Sequence, residues 1–287
     1  MEMSNTRTSL HRFEGKESYE RVITKDNSKL SFLGFDRIVL KPGEVIEKDI
    51  VGEELGLVLI EGDMTISVEW KGSKAIDAMT GQRKSVFKEK PYAVYVPPAS
   101  KLKIETKNGL EIRIFCAPCE EGNPPYFCAP ENVDEGTPGA MNMKRKYRFI
   151  FGPPGQNNDG VTRKLIVGES VSIPGGWIGF PAHRHDYETH EETELEEVFS
   201  FKVYGPRGGY IIQHSYDLDD RWDEFNVIED DNCAVALPKG YHTSLAVPGC
   251  VEYLLWGLAG DKGKDYVLKF DPRLDWICEA ENLFPNF

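Results

Sequence analysis

Residues 93–97, Ala-Val-Tyr-Val-Pro, and residues 234–238, Ala-Val-Ala-Leu-Pro, decide how this chain is read. Each is a short run of the residue types that fit a pleated, half-buried surface, closed by a proline that cannot donate to a β ladder. The same texture recurs on both sides of them. Runs of this kind stand at 31–40, 55–60, 64–70, 110–118, 164–173, 208–216, 225–229 and 251–258, and Gly, Pro, Asp or Asn punctuate them. No segment sustains the 3.6-residue period of a helix. Many short strands separated by turn residues predict an all-β protein built as a sandwich or barrel.

The two matching runs also belong to a longer repeat. An acidic residue leads a strand upstream of each: Glu54 lies 43 residues before Pro97, and Glu197 lies 41 before Pro238. Earlier still, Lys-Pro-Gly at 41–43 echoes Ile-Pro-Gly at 173–175. Three matches in one order at similar spacing predict two copies of one β domain, and 287 residues suit two domains. The stretch 120–142 holds four prolines, three glycines and five acidic residues, the composition of a connection. The expected division is an N-terminal domain over 1–120, a linker over 121–142 and a C-terminal domain over 143–287.

The formal net charge of −13 makes phosphate backbones and anionic lipid surfaces poor partners. The N-terminal stretch is polar, without the apolar core of a secretory signal, and no apolar run reaches the length of a membrane span. A cytoplasmic location is expected. The six cysteines are then expected to be thiols, including the pair Cys116 and Cys119 with CxxC spacing.

Five of the six histidines, His183, His185, His190, His214 and His242, fall within 60 residues of the second half. On a strand, His183 and His185 would share a face while Arg184 points the other way. Two such imidazoles can reach one metal ion, and a carboxylate with a third imidazole from neighbouring strands would complete an N/O site for zinc, manganese, iron or nickel. An isolated His-X-His is more often a surface pair. Glu197 and the turn Pro238-Lys-Gly-Tyr-His242 shift the balance toward a metal site.

Pro-Gly-Gly-Trp-Ile-Gly-Phe-Pro-Ala-His-Arg-His-Asp at 174–186, Leu-Glu-Glu-Val at 195–198 and Pro-Lys-Gly-Tyr-His at 238–242 resemble the cupin pattern. More narrowly, the chain resembles the 5-deoxy-glucuronate isomerase family of inositol catabolism, relatives of the 5-keto-4-deoxyuronate isomerases. The likeness takes in 205–217, Asp223-Glu224, Phe270-Asp-Pro272 and, in the first half, 85–98. It implies two tandem cupin domains. It also implies one divalent metal ion, zinc first, on His183, His185, Glu197 and His242, with Glu196 as the competing acid. The first domain would hold no metal, Lys101 taking the aligned place of His242.

The implied activity is an aldose–ketose isomerisation of a small sugar acid, in which a divalent metal acidifies a C–H beside a carbonyl and a general base moves the proton. Glu224 and Tyr241 are the candidates for proton handling. Arg145, Gln213 and Lys202 are the candidates for substrate, the cations for its carboxylate, with Lys239 behind them. A homo-oligomer is expected. The chain departs from the family at Phe199-Ser-Phe-Lys202 and Gly176-Trp-Ile-Gly179, which alters the pocket wall and leaves the ligand set intact. A metal-dependent oxygenase and a non-catalytic sugar-binding bicupin are the competing readings.

Overall fold

The structure is a computed structural model that describes residues 7–284; the first six residues of the polar N-terminal stretch and the last three of the C-terminal tail lie outside the described residues. Among the described residues the strands form three sheets, of nine, six and five strands. Among the described residues, helix is confined to three short 3-10 turns and Ala280–Leu283. The fold is all-β, as the alternation of short apolar runs and turn residues predicts.

The nine-stranded sheet carries the first half of the chain. Its backbone is Glu53–Trp70, an 18-residue strand that pairs with Ala93–Val96 and Leu110–Pro118 at one end and with Ser73–Arg83 and Ser100–Glu105 at the other. The register shifts between Leu59 and Glu61, and Gly62 follows with φ 98°. A Cβ at Gly62 would fall 2.0 Å from the Gly109 carbonyl oxygen, so only glycine fits this bend. The bend folds the sheet over an aliphatic interior of Leu55, Leu57, Leu59, Ile66, Val68, Ile104, Ile112 and Ile114.

The second half forms a sandwich. One wall is the six-stranded sheet, with Glu196–Tyr204 between Cys233–Leu237 and Val251–Ala259; Ile166–Ser172 and Arg145–Phe151 complete that side. The other is the five-stranded sheet, ordered Asp223–Ile228, Ile211–Tyr216, Tyr241–Ala246, Trp177–Arg184 and Lys269–Phe270. Period 2 splits Glu196–Tyr204 cleanly: Phe199 and Phe201 enter the second core, while Val198 joins the core between the two halves. That shared core also takes Val58, Ile60, Tyr95 and Phe115 from the first half and Phe151, Val167 and Leu255 from the second.

Two features differ from the sequence division. Ser9–Arg12 pairs with Cys233–Leu237, so these early residues extend the six-stranded sheet rather than the N-terminal unit. Tyr126–Cys128, inside the stretch read as a linker, pairs with Ala93–Val96 as an edge strand of the nine-stranded sheet. Gly136, in the same stretch, bridges Tyr147, so the proline-rich composition hides pairing at both places.

The repeat is present, with a one-residue offset from its sequence alignment. Leu55 pairs with Val96, just before Pro97, as Glu197 pairs with Leu237, just before Pro238. Leu55 is therefore the counterpart of Glu197, and Glu54 is the counterpart of Glu196. Glu54 accepts from the backbone N–H groups of Arg163, Lys164 and Leu165 at 2.6–2.9 Å. Glu196 accepts from those of Ser31, Phe32 and Leu33 at 2.7–3.0 Å. Each half thus uses a carboxylate to tie down a loop of the other. Lys101, the aligned partner of His242, is exposed.

Candidate metal centre

Trp177–Arg184 and Tyr241–Ala246 lie side by side, and His183 is cross-strand partner to His242. Residue alternation sends His183 and His185 inward and Arg184 outward, where it meets Glu192 at 3.3 Å and the Tyr241 ring. Glu197 enters from the opposite wall. One ligand atom from each of His183, His185, Glu197 and His242 lies within 4.8 Å of the others.

The hydrogen bonds prepare this cluster for a cation. His185 Nδ1 is 2.8 Å from the Leu195 carbonyl and His242 Nδ1 is 2.8 Å from the Gly240 carbonyl. An Nδ1–H donated to a carbonyl leaves Nε2 with its lone pair, the state a metal ligand needs. The turn behind His242 is fixed by Asp186, whose carboxylate accepts from the Gly240 N–H at 2.9 Å. His242 Nε2 stands 2.8 Å from Glu197 Oε2, yet it is buried without a well-formed hydrogen bond. A buried polar atom left in that state calls for a missing partner. A borderline-soft divalent ion fits a set of three imidazoles and one carboxylate.

Charge is arranged to match. Burial would raise the Glu197 carboxyl, but the neighbouring His185 and His242 imidazoles outweigh it and hold it at about 2. Burial, then the neighbouring His242, pulls His183 down to about 3, so its imidazole is neutral. Burial works against a charged His185 too, but the Glu197 carboxylate overrides it and raises the imidazole above its ordinary value.

His183 and Glu197 face a cavity of about 200 Å³. Arg145, Tyr147, Ser170, Phe199, Trp256 and Tyr266 are among its other walls. Of the sequence candidates for substrate, the structure brings Arg145 to this cavity. Lys202 faces the other way, toward Glu111 at 3.3 Å and Asp231 at 3.7 Å, because it is an odd number of residues from Glu197 on the same strand. Gln213 is buried deeper in the second core, donating to Ser215 at 2.6 Å and accepting from Asn226 at 2.8 Å. Lys239 lies over Tyr187 on the surface.

Neither proton-handling candidate reaches the cavity. Glu224 accepts from the backbone N–H groups of Arg7 and Thr8 and from the Thr8 hydroxyl, at 2.7–2.9 Å, and so serves the N-terminal strand. Tyr241 precedes an inward histidine and therefore points out, packed with Tyr216 and Ala182. His190 is exposed, and His214 pairs with Asp223 at 2.6 Å on the outer face. Tyr147 and Tyr266 also line the cavity and are not among the sequence candidates. Tyr147 shares strand and face with Arg145, which alternation could have revealed; Tyr266 arrives from a loop with no local signal. All six cysteines are unbridged.

The KduI/IolB family pattern matches residues 8–277. The chain belongs to the KduI/IolB family. It is 31% identical over 261 residues to a 5-deoxy-glucuronate isomerase of Geobacillus kaustophilus, covering 90% of each chain. It is 27% identical over 259 residues to one of Bacillus subtilis, covering 90% of this chain and 92% of the relative. Among solved structures, an IolB-like protein from Salmonella typhimurium superposes with a TM-score of 0.82 at 28% identity, over 93% of this chain and 98% of the other. An oxalate decarboxylase of Lactobacillus farciminis superposes at 0.64 with 10% identity, over 94% and 90%, a likeness of cupin fold alone. This KduI/IolB member is an isomerase. Among the described residues, no helix is long and apolar enough to cross a membrane.

Proposed function

We propose that the protein interconverts 5-deoxy-D-glucuronate and 2-deoxy-5-keto-D-gluconate in inositol catabolism, using one divalent ion, zinc first, on His183, His185, Glu197 and His242. The observation that carries the metal is His242 Nε2, buried among ligand atoms without a well-formed hydrogen bond. The observation that favours a sugar acid is Arg145 on the same cavity. A divalent ion held there would supply Lewis-acid polarisation of a carbonyl and its neighbouring hydroxyl.

The protein's own groups would do the rest. His185 and His242 are oriented by the Leu195 and Gly240 carbonyls, so the cluster is organised before anything binds. Phe199, Leu254 and Trp256 line the cavity and limit water around a bound molecule. Arg145 would hold the substrate carboxylate in charge-assisted hydrogen bonds. We further propose a cytoplasmic homo-oligomer whose partner is a small-molecule sugar acid, with neither nucleic acid nor membrane, in keeping with the net charge of −13.

Proton NMR of purified holoprotein with 5-deoxy-D-glucuronate tests the reading, with D-glucuronate and 5-keto-4-deoxyuronate as comparators. The expected result is conversion of the first at least tenfold faster than the others. Turnover of a comparator alone would reassign the substrate. Oxygen uptake without isomerisation would replace the reaction class.

A further inference from the structure

Tyr147 and Tyr266 enter the same cavity from different parts of the chain. Tyr147 sits on Arg145–Phe151, two residues from Arg145 and on its face. Its ring packs at 4.9 Å on Phe149 and at 5.9 Å, nearly parallel, on Trp256. Tyr266 lies 6.1 Å from the same Phe149 ring. The segment bearing Tyr266 is pinned at both flanks. Lys264 donates to the Asp159 carbonyl and the Thr162 hydroxyl, both at 2.7 Å. Val267 N–H donates to the Thr193 hydroxyl at 2.8 Å, and Thr193 N–H to the Val267 carbonyl at 3.1 Å.

Packing therefore fixes both rings, while neither hydroxyl makes a hydrogen bond among the described residues. Arg145 is only lightly engaged. Its guanidinium meets the Met143 carbonyl at 3.3 Å and has no acidic ion-pair partner among the described residues. It is the one Lys or Arg on a wall whose one acid is Glu197, among the described residues. Two phenols without internal partners among the described residues, and a guanidinium that spends one N–H on a backbone carbonyl, offer fixed donors and acceptors to whatever enters.

We propose that Arg145, Tyr147 and Tyr266 form a recognition subsite for the carboxylate and adjacent hydroxyls of a short polyhydroxy acid, which enters with its acid end on this wall and its other end toward His183 and Glu197. The direction of the substrate rests on the isomerase reading; the subsite itself does not. Arg145 supplies the bidentate fork for the carboxylate. Each tyrosine can donate to one hydroxyl and accept from another. The cavity's size limits the ligand to a single small molecule.

The test is isothermal titration calorimetry of the holoprotein with D-gluconate, which has no carbonyl to isomerise, against D-glucitol, which lacks the carboxylate. Gluconate should bind the wild type, and glucitol should bind at least tenfold more weakly. Arg145→Gln should weaken gluconate about 10- to 100-fold, the loss of a hydrogen bond to a charged group. Tyr147→Phe and Tyr266→Phe should each weaken it about three- to tenfold. Metal content and Tm should match the wild type, and in turnover assays the Phe variants should raise KM more than they lower kcat. The proposal is overturned if gluconate does not bind at millimolar concentration, if glucitol binds equally, or if the double variant Tyr147→Phe, Tyr266→Phe stays within twofold of the wild type. Gluconate binding of the stated pattern without turnover of any uronate would sink the isomerase reading and leave the subsite standing.

Discussion

Glu169 gives the sharpest stability prediction. Its carboxylate is wholly buried between the two halves. It accepts from Arg83 at 2.8 and 3.0 Å, from Arg148, and from the Tyr253 hydroxyl at 2.7 Å. Arg83 comes from the first half, while Arg148 and Tyr253 come from the second. Glu169→Gln preserves the shape but removes the charge, and turns one acceptor into a donor facing donors. Breaking a buried, hydrogen-bonded ion pair in this way costs about 3–5 kcal/mol. At roughly 2–4 °C per kcal/mol for a chain of this size, Tm should fall by about 6–20 °C. Turnover at 25 °C should be unchanged, because the cavity is lined by Ser170, on the opposite face of the same strand. Differential scanning calorimetry reads the shift. Lys74→Ala is the control: its ion pair with Asp77 is 3.3 Å long and mostly exposed, so it should move Tm by less than about 2 °C. A Glu169→Gln shift no larger than the control's would refute a stabilising role for this buried ion cluster.

Four further outcomes follow, two of them from His185. In stripped protein His185 is raised by Glu197, so binding an ion must displace its proton; metal affinity should climb about tenfold per pH unit below that raised value and level off above it, read by competition with a chelator. The same group should stabilise metal-free protein below the ordinary histidine range and cease to do so as pH rises through the raised value, which thermal melts across pH 5–9 would show. Glu252 is wholly buried, and burial pushes its carboxyl up to about 8 although the Ser244 hydroxyl donates to it at 2.6 Å. A folded state that favours the neutral acid loses stability as pH rises from the ordinary carboxylate range toward 8. Glu252→Gln should therefore gain about 1–3 kcal/mol at pH 8 and little at pH 4, and a Tm lower than wild type at pH 8 would count against a strained carboxylate. Lys202→Met and Tyr241→Phe should keep kcat within about threefold of wild type, since both side chains point away from the cavity; a hundredfold loss in either would return it to the mechanism.

The sequence made the strands legible because their residue types and turn punctuation are local signals. The ligand set was legible for a related reason: His183 and His185 sit two apart on one strand, and the Glu-Glu-Val and Gly-Tyr-His segments carry their own pattern. The alternation that puts His183 and His185 on one face applies equally to the neighbouring strands. It separates Lys202 from Glu197, Tyr241 from His242, and Glu54 from the true counterpart Leu55. What lay beyond sequence was long-range placement: the pairing of Ser9–Arg12 with Cys233–Leu237, the use of Glu224 by the N-terminal strand, and the arrival of Tyr266 beside Tyr147. None of these has a local cause, because each depends on which sheet edge or cavity the folded chain leaves open.

The most direct test is to measure isomerase turnover while folded, chelator-stripped protein is titrated with zinc. The expected result is no turnover at zero zinc, a linear rise, and a plateau at one equivalent per chain, with His242→Ala silent throughout despite a native β-sheet spectrum. Full turnover by the stripped protein would contradict it.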